Sequence, residues 1–344
     1  MKIKAKRISG ILLSLALVLG LVPGMSLTAY AADATELATD TTTWETGDYV
    51  VPEGGVTISG HITVNGTVNL TLTEGATLTA STGITLSDGA ILNVSGEGAM
   101  VVNGTNGSTA STVAGSGTLV LTSGTLTVTG GNGGDTRGVR VSSGAGGAAI
   151  NGAVTVNGGT LTATGGRGGN LGERSAYGTT GAGGAAISGS VTINAGTVTV
   201  TGGDSGTIGE MSYGANSGAG GAGIAETVTI NGGKLTITNG TGGGSQNDGT
   251  RGAGGASYSG TLTLGENVIL YEGTAVDDEK ILDGNTENSR VYEGEKKASM
   301  YAYGPDVSQG PDKTELESAI TAAETLYESI KDNTDYADIA STLK

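Results

Sequence analysis

Glu173 and Glu210 stand 37 residues apart in the related segments GNLGERS and GTIGEMS. If those segments stack, their backbones lie about 5 Å apart. Two carboxylates so placed could act as general acid and base or share one calcium ion. Solvated loop charges copied by duplication are the plainer alternative. Tyr177 and Tyr213 follow the two glutamates, Asn170 and Asn216 lie close by, and Tyr258 falls at a later turn. Aromatic faces beside amide and acid groups are the chemistry that holds sugars. His61 is the one histidine. Serine catalysis needs a base beside its nucleophile, and His61 has no such partner in its surroundings. The chain has no cysteine, which excludes thiol chemistry and zinc sites built from His and Cys. No catalytic residue and no metal ligand is therefore assigned, and no cofactor is expected. Calcium stays possible without a clear motif: no Asp-x-Asp pair occurs among Asp135, Arg137, Arg140, Arg167, Arg174, Asp204, Asp248 and Arg251. GGNGGD at 130–135 matches a calcium repeat only in part. The glycine-rich loops lack the GK[ST] of a phosphate loop.

These residues sit in a chain that repeats itself. GAGGAAINGAVTVNGGTLTATGG starts at Gly144, and related blocks start at Gly181, Gly218 and Gly252. A fixed period of this size signals a stacked architecture. Each block holds short alternations of Val, Ile or Leu with Thr, separated by glycine, so the repeated unit is made of strands. One series runs through Leu70, Leu92, Leu119, Val154, Val191, Val228 and Leu262. A second runs through Leu78, Met100, Leu126, Leu161, Val198 and Leu235. Three short strands in about twenty residues make one coil of a parallel β-solenoid. Seven coils are read between Val56 and Gly273. Val, Ile and Leu point inward and Thr outward, because alternate strand residues face opposite sides. The extra residues of the long repeats fall at one corner, as loops 132–143, 167–180, 204–217 and 241–251. Repeat insertions tend to gather on a binding face. Asn157, Asn194 and Asn231 recur at one turn, either as a hydrogen-bonded column or because Asn suits turns. The Thr columns at 125–129, 160–164 and 197–201 offer a second regular surface, although Thr also favours strands.

Residues 1–31 read as a signal peptide: Lys2, Lys4, Lys6 and Arg7, an apolar stretch from Ile11 to Val22, and Ala29-Tyr30-Ala31 for cleavage. No membrane span is expected after cleavage. Residues 32–55 read as a lead-in that caps the first coil, with Trp44 and Tyr49 suited to that role. The solenoid occupies 56–273, a C-terminal cap 274–303 and a linker 304–311. From Asp312 a capped amphipathic helix begins, and 312–344 read as an incomplete helical module of a longer protein. The formal net charge is −16. An acidic chain without a basic patch does not suit nucleic acid.

The blocks GAGGAAI and VTVNGGTLTATGG, with their copies, resemble the glycine-rich repeats of secreted proteins of Gram-positive bacteria known as carbohydrate-binding domain proteins. The segment KTELESAITAAETLYESIKDNTDY is similar to small helical modules of Gram-positive surface proteins. The resemblance implies an all-β, right-handed parallel β-helix of about seven coils, followed by a short helical C-terminal segment. It also implies a secreted or cell-surface location and a polysaccharide or cell-surface glycan as partner. The expected role is non-catalytic and adhesin-like, with Asn170, Glu173, Tyr177, Glu210, Tyr213, Asn216 and Tyr258 as contact residues. The alternatives are a purely structural stalk and a pectate-lyase-like lyase or glycosidase.

Overall fold

The structure is a computed structural model that describes residues 34–265, 268–272 and 299–303. All of them belong to one compact unit, Tyr30–Asp306. The signal segment 1–31, residues 274–298 of the expected cap, the linker 304–311 and the helical module 312–344 lie outside the described residues.

The described chain is all-β. Its strands form three sheets that are parallel except at one end of the second, and each parallel strand pairs with its equivalent in the next coil. The first sheet has nine strands and stacks Leu119, Val154, Val191, Val228 and Leu262 in register. The second also has nine strands and stacks Leu78, Met100, Leu126, Leu161, Val198 and Leu235. The third stacks Ile62, Ile84 and Val113 as strands. It continues through Ile150, Ile187, Ile224 and Tyr258 as single bridges. The described residues thus wind as a parallel β-solenoid.

Alternation decides what fills it. Val154, Val191 and Val228 are buried while the intervening threonines face outward. One cluster of buried apolar residues runs from Leu37 to Val268. Each such Val or Leu contributes about 1.5–3 kcal/mol by leaving water, but only while the coils above and below stay in place.

The two ends are treated differently. At the start, Thr35–Glu36, Thr43–Trp44 and Gly47–Val50 pair in parallel with the strands that follow, so the lead-in is itself wound into the stack. Trp44 is fully buried there, stacks on Tyr49 with ring centroids 6.0 Å apart, and donates Nε1–H to the Thr41 carbonyl at 3.0 Å. At the far end, Ser299–Tyr303 lies antiparallel on Lys234–Thr238, and Ile269–Glu272 lies antiparallel on Ser299–Tyr303. Reversed strands end a parallel ladder and protect its edge.

Asparagine columns tie the coils at the turns. Asn194 Nδ2 donates to Asn157 Oδ1 and Asn231 Nδ2 to Asn194 Oδ1, both at 2.7 Å. An earlier column runs from Asn93 to Asn69 to Asp48, each step 2.8 Å.

Candidate functional site

The extra residues at the corner are not irregular loops. Each long insertion runs out from the second sheet, turns, and runs back to the third, giving two antiparallel arms. Their hydrogen bonds repeat every three residues. On the outgoing arm, Gly165 and Gly168 donate to Thr201 and Asp204 of the next coil at 2.9 Å. Gly166 and Gly169 donate sideways to Gly147 and Gly144 at 2.8 Å. On the returning arm, Gly181 and Gly184 donate to Gly169 and Gly166, and Gly183 and Ala186 donate to the coil above. A three-residue period without internal hydrogen bonds is that of the polyproline II helix. None of these glycines has a positive φ. The arms therefore form a two-layer slab of extended chains.

Glycine fills most positions on two of the three faces, the buried Ser205 being an exception on the outgoing arm. A Cβ at Gly184 would lie 2.5 Å from the Gly147 carbonyl carbon, and one at Gly221 equally close to that of Gly184. The third face points outward and accepts side chains. On the outgoing arm it carries Asn132, Asp135, Arg167, Asn170, Asp204, Thr207 and Thr241; on the returning arm it carries alanines.

The outgoing side chains bond to one another. Asn170 donates its backbone N–H (2.7 Å) and Nδ2 (3.0 Å) to Asp135 Oδ1. Its Oδ1 accepts from the N–H and hydroxyl of Thr207 and from Arg167. Asn216 Oδ1 likewise accepts from the N–H and hydroxyl of Thr250. Asp204 accepts from the Thr241 hydroxyl and N–H at 2.7 and 2.8 Å. Those bonds hold the Asp204 carboxyl below the usual aspartate value, with Arg167 adding to them against partial burial. Asn170 and Asn216, expected as ligand contacts, thus hold the slab together.

The arm tips have a different character. Thr136 bridges to Leu171 and Val139 to Ala176, so the spacing between partners changes from 35 to 37 residues. The two added residues are Glu173 and Arg174. Glu210 and Met211 hold the same positions one coil on, where the Arg174 N–H donates to the Glu210 carbonyl at 3.0 Å. Both glutamates are exposed. Arg140, Arg174, Tyr177 and Met211 have φ between 53° and 58°, the left-handed region that non-glycine residues seldom occupy. Such conformations cost about 1–3 kcal/mol each and gather at functional sites.

Tyr177 and Tyr213 meet there edge to face, with centroids 5.7 Å apart and ring planes at 85°. The Tyr213 hydroxyl donates to Asp248 Oδ2 at 3.1 Å. Gly214 makes room for the Tyr177 ring, since a Cβ there would lie 2.8 Å from two ring atoms. Tyr177 and Tyr213 are 55% and 49% exposed, and Met211 and Val139 beside them 63% and 65%. Ile91 is the one other large apolar residue exposed among the described residues. Val139 and Met211 carried no signal in composition; their exposure follows only from the turn.

Two candidates lie elsewhere. Tyr258 was expected on the surface but is 1% exposed, within the core. It takes the inward position held by Ile150, Ile187 and Ile224 in the preceding coils. His61 is exposed, with Nδ1 2.9 Å from the Thr82 carbonyl and Nε2 2.8 Å from Thr85 Oγ1. A carbonyl can only accept, so Nδ1 carries a proton. Among the described residues no three His, Asp or Glu side chains converge as a metal site, and no helix is long and apolar enough to cross a membrane.

The chain matches no family model, no curated protein and no solved structure.

Proposed function

We propose that the protein is an exported, non-catalytic glycan-binding β-helix, wound right-handed in about seven coils, and that it holds its ligand at the arm tips. The reading rests above all on the exposed Tyr177–Tyr213 pair. Two aromatic rings left half in water on left-handed and tightly tied backbone cost stability, and a sugar face would cover them. An edge-to-face pair presents one ring face outward, the surface on which the C–H face of a pyranose stacks. Glu173 and Glu210, exposed at the same arm tips, supply carboxylates that can accept from sugar hydroxyls. Polysaccharide or a cell-surface glycan is the ligand class.

The experiment is a glycan array with the secreted chain, run with and without calcium, followed by titration of the best ligand. Tyr177→Ala with Tyr213→Ala should weaken binding at least about tenfold, the loss of two ring contacts, with little change in melting temperature. Thr162→Val with Thr199→Val should leave binding unchanged. Loss of binding through the threonines but not the tyrosines would move the ligand to the flat sheet face and defeat the tip assignment.

A further inference from the structure

The glycine slab has a direction along the stack. Each arm donates N–H groups to carbonyls of the next: Gly202 to Thr238, Ser205 to Thr241, Ser217 to Thr250 and Gly220 to Ala253, at 2.8–3.0 Å. The equivalent donors on the last pair of arms are Asn239, Gly242, Arg251 and Gly254. Among the described residues their N–H groups have no acceptor. They line an open cleft of about 360 Å³ between the outgoing and returning arms. The exposed Arg251 adds a full positive charge beside these four N–H dipoles.

Among the described residues this end is open where its neighbours are closed. The reversed strand Ser299–Tyr303 covers Lys234–Thr238, and the last pair in that cover is Thr238 with Ser299. The donor row starts one residue further on, at Asn239. At the opposite end of the slab, the carbonyls of Thr129 and Asn132 are taken by the N–H groups of Gly104 and Gly107 at 2.8 and 2.7 Å. A short loop therefore closes one end of the outgoing layer, and nothing described closes the other.

The geometry of the cleft specifies a partner. Asn239 and Gly242 are three residues apart, as are Arg251 and Gly254. A polyproline II segment offers equivalent carbonyls at that interval, about 9 Å. Arms that stack in this slab need glycine on the face toward the arm below, because a Cβ at Gly240 or Gly255 would lie 2.5 Å from a carbonyl carbon of that arm. The same clash would reject side chains on a guest. We propose that this end is a docking edge for an extended X-Gly-Gly segment of another polypeptide, which adds as one further arm through backbone hydrogen bonds. This is strand addition carried over from a sheet edge to a glycine slab. The described arms of a second copy are already committed to its own slab, so that copy is not the favoured guest.

The probe is a synthetic peptide copying residues 164–171, TGGRGGNL, titrated calorimetrically into the secreted chain. A counterpart with alanine at each glycine serves as control. Saturable one-to-one binding is expected, at least about tenfold weaker for the alanine peptide. At Gly254 a Cβ would meet only the Asn239 side chain at 3.3 Å and the Gly240 carbonyl at 3.8 Å, so substitution there asks the Asn239 amide to shift by a few tenths of an ångström and meets no backbone clash. Gly254→Ala keeps the N–H and serves as the steric control for the proline variant. Gly254→Pro suits the arm's backbone but removes the donor, and should weaken binding about tenfold, the worth of one lost hydrogen bond. Equal affinity for the two peptides, or equal binding by the Ala and Pro variants, would overturn the proposal. So would no saturable binding at all. Concentration-dependent self-association in sedimentation would then identify a second copy as the occupant, and a monomer would mean that the chain closes its own edge.

Discussion

Gly184→Ala tests the slab at the face where its arms stack coil on coil. The added Cβ would lie 2.5 Å from the Gly147 carbonyl carbon, where ordinary carbon contacts are about 3.5–4.0 Å. The obstruction is backbone on both sides, so no side chain can swing away. The returning arm must move out by about 1 Å. Gly184 donates to Gly166 and accepts from Gly203, both at 2.8 Å, and Gly181 donates to Gly169 at 2.9 Å. Displacement lengthens all three beyond useful range. At about 0.5–1.5 kcal/mol each, they sum to roughly 3 kcal/mol, and overpacking adds about 1–3 kcal/mol. The control is Gly244→Ala. Gly244 lies on the outward face, and a Cβ there meets nothing within 4 Å. That variant should match the parent or gain up to about 1 kcal/mol, since alanine restricts the unfolded chain. Urea unfolding followed by circular dichroism and by tyrosine fluorescence compares the two, the second probe because solenoids can unfold in parts. If Gly184→Ala unfolds at the same urea concentration as Gly244→Ala, the arms are not packed as two layers, and the three-residue reading fails.

Two further outcomes follow from the side-chain columns. Asn194→Ala removes both 2.7 Å bonds of the turn column, but its neighbours remain open to water, so the loss should be about 1 kcal/mol in the same unfolding assay. Asp204 has its carboxyl held below the ordinary value by Thr241, so the unfolded state binds the proton more readily. The contribution is present above about pH 4 and disappears as pH falls through the folded value. Asp204→Asn should flatten that acid limb of the melting temperature and lower stability at neutral pH; an unchanged limb would show that Thr241 does not hold the carboxylate.

The solenoid is legible in the sequence because a parallel stack copies one rule at every coil. Val154, Val191 and Val228 stand 37 residues apart, and in-register pairing follows once the inward period of two is recognised. The buried place of Tyr258 was legible too. It is the seventh residue of GAGGASY, where the earlier blocks have Ile, and the block alignment marks it as inward although tyrosine suggests a surface. The Asn157–Asn194–Asn231 column was visible as a recurrence, but amide bonding and simple turn preference make the same pattern. Only the 2.7 Å distances separate them. The arms were present in the letters as X-Gly-Gly and read as loops, because glycine signals freedom when its neighbours in space are unknown. In the fold it signals contact: the chain that forbids a Cβ at Gly184 comes from Gly147, 37 residues away. The tip is furthest from the sequence. That Asn170 is spent on Asp135 and Thr207, while Tyr177 and Tyr213 stay half exposed edge to face, depends on which face of a three-residue helix each position occupies. Stacking of neighbouring coils sets that phase, and a single coil cannot.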